Sequence, residues 1–235
     1  MVGRSFSGIQ YRSIQVAAPP SPQVPKMKLD DDFPIRGWSR DTSIVFRKTR
    51  EEWGGLSNMA AGFPIEVNNV EWSTSEALYQ ALRFPDHPEV QEMIRIEKSP
   101  MSAKMKSKPF RAECSRVDWD DIRIDVMYWC LQSKLVANEE SFGALLRRTG
   151  KLDVVEDSSK DRFWGAVAAN EERLEGRNVL GVLLMRLRRD YLLGDELWTS
   201  DQIAVPNPPF DRAIIGGREL SAGSIRTLSQ KDTLF

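Results

Sequence analysis

The chain is poor in the side chains that most often hold metals. Its 235 residues include two cysteines, Cys114 and Cys130, and a single histidine, His87. Neither cysteine sits in a zinc-ligand spacing, so a zinc site would need mostly carboxylates, and no metal or cofactor is expected. So few cysteines in so long a chain fit a reducing compartment. Also missing is any apolar run near the roughly 18 residues of a membrane span. The richest, Val179 to Leu187, is broken by Gly181 and Arg186. This predicts a soluble intracellular protein, cytoplasmic or nuclear, with no membrane partner. A basic excess is absent too: 33 Lys+Arg stand against 34 Asp+Glu, a net charge of −1. Proteins that wrap duplex nucleic acid unselectively carry such an excess, so any nucleic-acid contact has to be local, at a patch.

What is there suits a packed core, with 41% hydrophobic and 29% charged residues. The length allows one domain or two. Residues 1–29 contain no acid but carry Arg4, Arg12, Lys26 and Lys28, and the proline-rich run Ala17 to Pro25 cannot continue a helix. Residues 1–41 are therefore expected to be a disordered extension, with an organellar transit peptide as the alternative. One domain is expected over residues 42–197. Residues 198–235 read as a C-terminal extension, lying over the domain or mobile.

Within the domain, Thr42–Phe46 predicts a strand and Ile65–Trp72 a hairpin turning at Asn68-Asn69. Ser73 reads as a helix N-cap with Glu76 three residues on, and Ser99-Pro100 opens a second helix. Asp118 caps a third from Trp119 to about Ala137, with Ile122, Val126 and Trp129 on one face. A short helix spans Ser141 to Arg148 and ends at Gly150. The last runs from Asn178 to Leu193 and is apolar nearly all round at its start. The fold class is α+β, mainly α, with a small β element.

Four elements bear chemistry. In Ser73-Thr74-Ser75-Glu76-Ala77-Leu78-Tyr79-Gln80, Glu76 either closes a capping box or offers a carboxylate in a helix's first turn. Such a carboxylate steadies positive charge or takes a proton from water. In Asp161-Arg162-Phe163-Trp164-Gly165, Asp161 either makes an Asx turn beside a buried tryptophan or binds ribose hydroxyls beside a π-face. Gly165 then admits close backbone approach to a ligand. In Trp53-Gly54-Gly55-Leu56-Ser57-Asn58, Gly54 and Gly55 are a plain turn or aim successive amides at an anion, and Asn58 donates and accepts. From Lys98 to Arg111 there are Lys104, Lys106 and Lys108 and no acid, either a solvated face or a phosphate site at a helix start. Lys48 is an exposed lysine on general grounds; the sharper alternative is capture of the open-chain ribose aldehyde as a Schiff base. His87, between Asp86 and Pro88, reads as an exposed turn residue.

In their order these elements resemble the NADAR family of YbiA-like N-glycosidases, over about Ile44 to Leu193. Asp118-Trp119, Met127 and Gly176-x-Asn178-x-Leu180-Gly181-x-x-Leu184-Met185 extend the match. Many members have histidine where this chain has Ala77. The resemblance implies a single YbiA-like domain that hydrolyses an N-glycosidic bond without a cofactor. It implies catalytic roles for Glu76 and Asp161, to which Lys48 is added as a hypothesis. Gly54, Gly55, Asn58, Tyr79, Lys104, Trp119, Trp164 and Gly165 are the expected substrate contacts. The implied substrate is ADP-ribose on guanine in DNA or a free nucleotide, with a DNA ADP-ribosyltransferase toxin as the opposing partner. Clearance of phosphoribosylamino-pyrimidine intermediates of riboflavin synthesis is the alternative. A non-catalytic ADP-ribose or nucleotide reader is the third possibility.

Overall fold

The computed structural model describes residues 27–191 and 207–221. Ordered structure begins before the expected boundary at Thr42. A helical turn, α1 (Leu29–Asp32), and a strand, β1 (Arg36–Ser39), precede it. Phe33 and Trp38 are buried, and Arg177 donates to the Phe33 carbonyl and to Asp30, both at 2.8 Å. The strand Arg-Gly-Trp-Ser has one apolar side chain, so no alternation announces it. The rest of the expected extension, residues 1–26, lies outside the described residues.

β2 (Ser43–Phe46) falls where the β-branched run predicts it. β3 (Ile65–Val67) and β4 (Val70–Trp72) form the expected hairpin. Asn68 and Asn69 both take left-handed φ, 52° and 63°. Two consecutive left-handed residues match the twist of paired strands, and asparagine tolerates that conformation.

Next comes α2 (Ser75–Ala81), whose seven residues are all buried. Its cap is Thr74 rather than Ser73: the Thr74 hydroxyl accepts from the Ala77 amide at 3.2 Å. α3 (Pro88–Arg95) and α4 (Pro100–Ser107) each carry proline in the first turn, and Ser99 caps α4. A 3-10 turn over Lys108–Phe110 leads into α5 (Arg111–Cys114). α6 (Trp119–Ala137) is the longest helix of the described residues; only Asp120, Asp121 and Arg123 escape burial. Asp118 precedes it but makes no side-chain cap, because its carboxylate is held by Arg116 at 2.6 Å. The expected helix from Ser141 is a π turn over Glu139–Gly143 followed by α7 (Ala144–Arg148). The Asn138 carbonyl accepts from Phe142 and Gly143 there, which widens the turn.

β5 (Asp153–Glu156) pairs in parallel with β2, Phe46 opposite Glu156. β6 (Val167–Ala168) and β7 (Arg173–Gly176) complete an antiparallel sheet in the order β1-β7-β6. α8 (Val179–Tyr191) follows Asn178, whose φ is 51°. The Asn178 amide donates to the Val154 carbonyl at 2.8 Å and accepts from the Glu156 amide at 3.0 Å. It thereby clamps α8 to β5. A last hairpin, β8 (Ile214–Ile215) and β9 (Arg218–Glu219), docks on α3, where Gln91 bonds the Ile214 carbonyl and the Gly216 amide at 2.8 Å each. The expected end of α8 at Leu193, and residues 192–206 and 222–235 of the tail, lie outside the described residues. No helix among the described residues is long and apolar enough to cross a membrane. The architecture is α+β: one domain of helices around α2 and α6, flanked by small sheets.

Candidate active site

The first turn of α2 and the segment after the Gly-Gly turn are tied together through Asn58. Its carbonyl accepts from the Glu76 amide at 2.9 Å and from the Ser75 hydroxyl at 3.1 Å. Its side-chain nitrogen donates to Glu76 Oε2 at 2.5 Å. The other carboxylate oxygen, Oε1, accepts from Gln80 Nε2 at 2.9 Å, one helical turn on. Glu76 therefore closes no capping box. Its side chain is 3% exposed, while the Lys104 side chain, with Nζ 3.9 Å away, is 40% exposed. The site thus runs from a buried carboxylate toward solvent along Lys104.

Burial pushes the Glu76 carboxyl above its ordinary range, because the charged form loses water. Lys104 opposes this most strongly, then the Gln80 hydrogen bond, then Arg111. Arg111 and the Ser107 hydroxyl both donate to Gln80 Oε1, each at 3.2 Å. The basic stretch is therefore divided. Lys104 and Arg111 serve the buried cluster, Lys106 pairs with Glu97 at 2.5 Å, and Lys98 and Lys108 remain exposed.

An aromatic wall stands on the same helix. Tyr79, next in turn from Glu76, packs against Trp119 at 4.9 Å and meets Trp164 edge-on at 5.7 Å. Phe163 meets Trp164 edge-on at 5.1 Å. Arg83 and Arg123 lie over Trp119 and Phe163, at 5.1 and 4.1 Å from the ring centroids. Burial and the nearby Glu76 charge raise the Tyr79 phenol, so it stays neutral. Trp119 is buried, whereas Trp164 is half-buried.

Asp161 makes the Asx turn: Oδ1 accepts from the Phe163 and Trp164 amides at 2.9 Å each. That bond aims Trp164, and the two readings of the loop are compatible because a carboxylate has a second oxygen. The glycines do something other than the sequence suggests. A Cβ on Gly165 would lie 2.7 Å from the Glu156 carbonyl and 3.3 Å from Glu156 Oε2, so Gly165 admits the end of β5 rather than a ligand. A Cβ on Gly54 would lie 2.4 Å from the Lys48 carbonyl. The Gly54 amide is spent on the Glu51 carbonyl at 2.9 Å, which removes it from an anion nest. Gly55 turns its carbonyl to Lys134 Nζ at 2.7 Å. Lys48 is exposed on the loop after β2, and its ammonium joins the Glu76 cluster through no hydrogen bond or ion pair among the described residues. His87, expected to be exposed, is half-buried at the start of α3, with its ring beside Glu89 at 3.1 Å.

Sequence reasoning passed over four residues. Gln80 was visible as the i+4 neighbour of Glu76. Arg111 was visible only as charge. Lys134 is fully buried in α6 and bonds the carbonyls of Gly55 and Ser57, at 2.7 and 3.1 Å, which fixes the segment that presents Asn58. Glu156 ends β5 against Gly165; burial lifts its carboxyl to about 7, helped by Asp161 and Glu76 and opposed by Lys104. No local pattern marks it in the chain, because the strand that it ends is not among the expected elements. Among the described residues no group of three or more metal-ligating side chains comes together.

This fold and site define a NADAR-type domain, and the family's profile matches residues 45–192. The chain belongs to the NADAR domain family. It is 35% identical over 152 residues to N-glycosidase YbiA of Escherichia coli, spanning 63% of this chain and 88% of that protein. It is 34% identical over 166 residues to the chloroplastic riboflavin biosynthesis protein PYRR of Zea mays, covering 65% of this chain and 26% of the other. The NMR structure of Escherichia coli YbiA superposes with a TM-score of 0.53 at 32% identity, covering 65% of this chain and 89% of that one.

Proposed function

We propose that this chain is an N-glycosidase that hydrolyses the bond between a ribose carbon and a nitrogen. The observation that carries the reading is the Glu76 carboxylate, held on both oxygens by amide donors beside Lys104 and the Tyr79–Trp164 wall. A carboxylate fixed in this way is preorganised to face positive charge that develops at C1′ as the bond to nitrogen breaks. It also stands ready to take the proton of an attacking water. Trp164 stacks on the leaving base, the second oxygen of Asp161 accepts from a ribose hydroxyl, and Lys104 holds a phosphate oxygen. The names borne by the relatives, YbiA N-glycosidase above all, support the same reaction class.

For the substrate we favour ADP-ribose on guanine in DNA, removed in repair or in opposition to a DNA ADP-ribosyltransferase toxin. Lys98 and Lys108 support this, since they flank α4, stay exposed and are left over once Lys104 and Arg111 serve the buried cluster. The second reading is a phosphoribosylamino-pyrimidine of riboflavin synthesis. The name of the maize relative favours it, as does the loss of Lys106 to Glu97.

The experiment is hydrolysis of a guanine-ADP-ribosylated DNA oligonucleotide and of the pyrimidine intermediate by wild type and Glu76→Gln. Cleavage of the DNA adduct, weakened steeply by salt, supports the first substrate. Cleavage of the pyrimidine intermediate alone moves the protein to metabolite clearance. Binding of ADP-ribose without turnover of either makes it a reader.

A further inference from the structure

Two carboxylates stand near Lys104, and their surroundings differ. Glu76 accepts from Asn58 and Gln80, one donor on each oxygen. No hydrogen bond or ion pair among the described residues ends on the Glu156 carboxylate. Its backbone, by contrast, is held firmly. The amide donates to Asn178 Oδ1 at 3.0 Å and the carbonyl accepts from Ala166 at 2.8 Å. The carboxylate rests over Gly165, the residue that follows Trp164 in the chain, with Oε2 only 3.3 Å from where a Cβ would be. The charged groups that face it are Asp161 from the loop, Glu76 from α2 and Lys104 from α4. From β2 and α8 it meets Phe46, its register partner, and Asn178, neither of them ionisable. One acid is thus held on both oxygens, and the carboxylate of the other is left without a hydrogen-bond partner among the described residues, on a backbone that is itself fixed.

Building on the N-glycosidase reading, we propose that Glu156 is the catalytic acid that protonates the departing nitrogen, while Glu76 faces C1′ and the water. As the C1′–N bond breaks, its electron pair leaves with nitrogen, which takes the Glu156 proton. The water oxygen bonds to C1′ and its surplus proton passes to Glu76. Exchange with solvent then returns one proton to Glu156 and removes one from Glu76, so the protein ends as it began. Burial first, and then the like charges of Asp161 and Glu76, raise the Glu156 carboxyl to about 7, which suits an acid working near that pH.

The test compares leaving groups. Wild type, Glu156→Gln and Glu156→Asp are assayed on an amine-linked substrate (the ADP-ribosylated oligonucleotide or the pyrimidine intermediate, whichever wild type cleaves) and on 4-nitrophenyl β-D-ribofuranoside 5-phosphate. The nitrophenolate departs without a proton. Glu156→Gln should lose about 10²–10⁴-fold on the amine-linked substrate, the usual share of general acid catalysis, and stay within about threefold on the nitrophenyl compound. Glu156→Asp should recover part of the loss. Wild-type kcat/KM should fall above pH about 7, and that limb should vanish in Glu156→Gln. Equal losses on both substrates would overturn the assignment while leaving the N-glycosidase reading intact. A wild type that cleaves no N-glycoside overturns that reading, and the acid role goes with it.

Discussion

Arg111 decides which end of the Gln80 amide faces Glu76. A guanidinium has only donors to offer, so the oxygen of that amide must turn toward Arg111, at 3.2 Å, and the nitrogen toward the carboxylate, at 2.9 Å. Arg111 also helps to draw the Glu76 carboxyl down. Replacing it by methionine should release the amide and raise the Glu76 carboxyl further. The acid limb of the pH–rate profile should move up, and kcat/KM should fall about 10–100-fold. That loss corresponds to the ~1.5–3 kcal/mol of a hydrogen bond to a charged group. An unchanged profile would mean that the amide is set by Ser107 alone.

Glu76→Gln keeps the shape and removes the charge. Activity should drop about 10²–10⁴-fold with little change in melting temperature, since the buried carboxylate itself costs desolvation. Glu76 is not a capping residue, so circular dichroism should show α2 intact. A loss below about threefold would remove Glu76 from the chemistry.

Lys134 should make stability depend on alkaline pH. Burial lowers its ammonium from 10.5 to about 7 in the folded chain. Between those values the unfolded chain holds the extra proton, so folding gains stability as pH rises from about 7 to 10.5. Below that window the cost of the buried cation is present in full. The stability of wild type relative to Lys134→Met, read from urea melts, should therefore climb across the window. A constant difference would show that the carbonyls of Gly55 and Ser57, with the rings of Phe63 and Phe142 whose centroids lie 4.5 and 4.2 Å from Nζ, hold the cation near its ordinary pKa.

Gly54→Ala places a methyl 2.4 Å from the Lys48 carbonyl, where only backbone can yield. It should destabilise the fold by about 1–3 kcal/mol, the usual range for overpacking. Lys48→Ala, by contrast, should leave stability unchanged, because that side chain is exposed. Borohydride trapping of a substrate adduct on wild type but not on Lys48→Ala would establish the Schiff base that its chemistry allows. No trapped adduct, with full activity in Lys48→Ala, would remove Lys48 from the site.

Elements written in contiguous residues were readable from the chain alone. Asn68-Asn69 specified a hairpin because two left-handed residues in a row need such side chains. Ser99-Pro100 specified a helix start, and the run from Trp119 to Ala137 a helix, for equally local reasons. Thr74 displaced Ser73 as the cap because both can accept an amide and only the path of the chain selects one. The π turn at Glu139–Gly143 and the strand β1 depend on partners elsewhere, so no local pattern announces them.

The same division runs through the site. Sequence by itself placed Glu76 and Gln80 on one helical face and Asp161 three residues before Trp164, since helix period and turn chemistry are local. Only the tertiary structure set Asn58 and Lys104 on the two oxygens' sides of Glu76, turned Arg111 inward, and brought Glu156 over Gly165. Those contacts join α2, α4, β5 and the loops between them, and their geometry follows from how the buried faces of α2 and α6 pack. Chain spacing carries no record of that packing, and so the second carboxylate could be seen only in the fold.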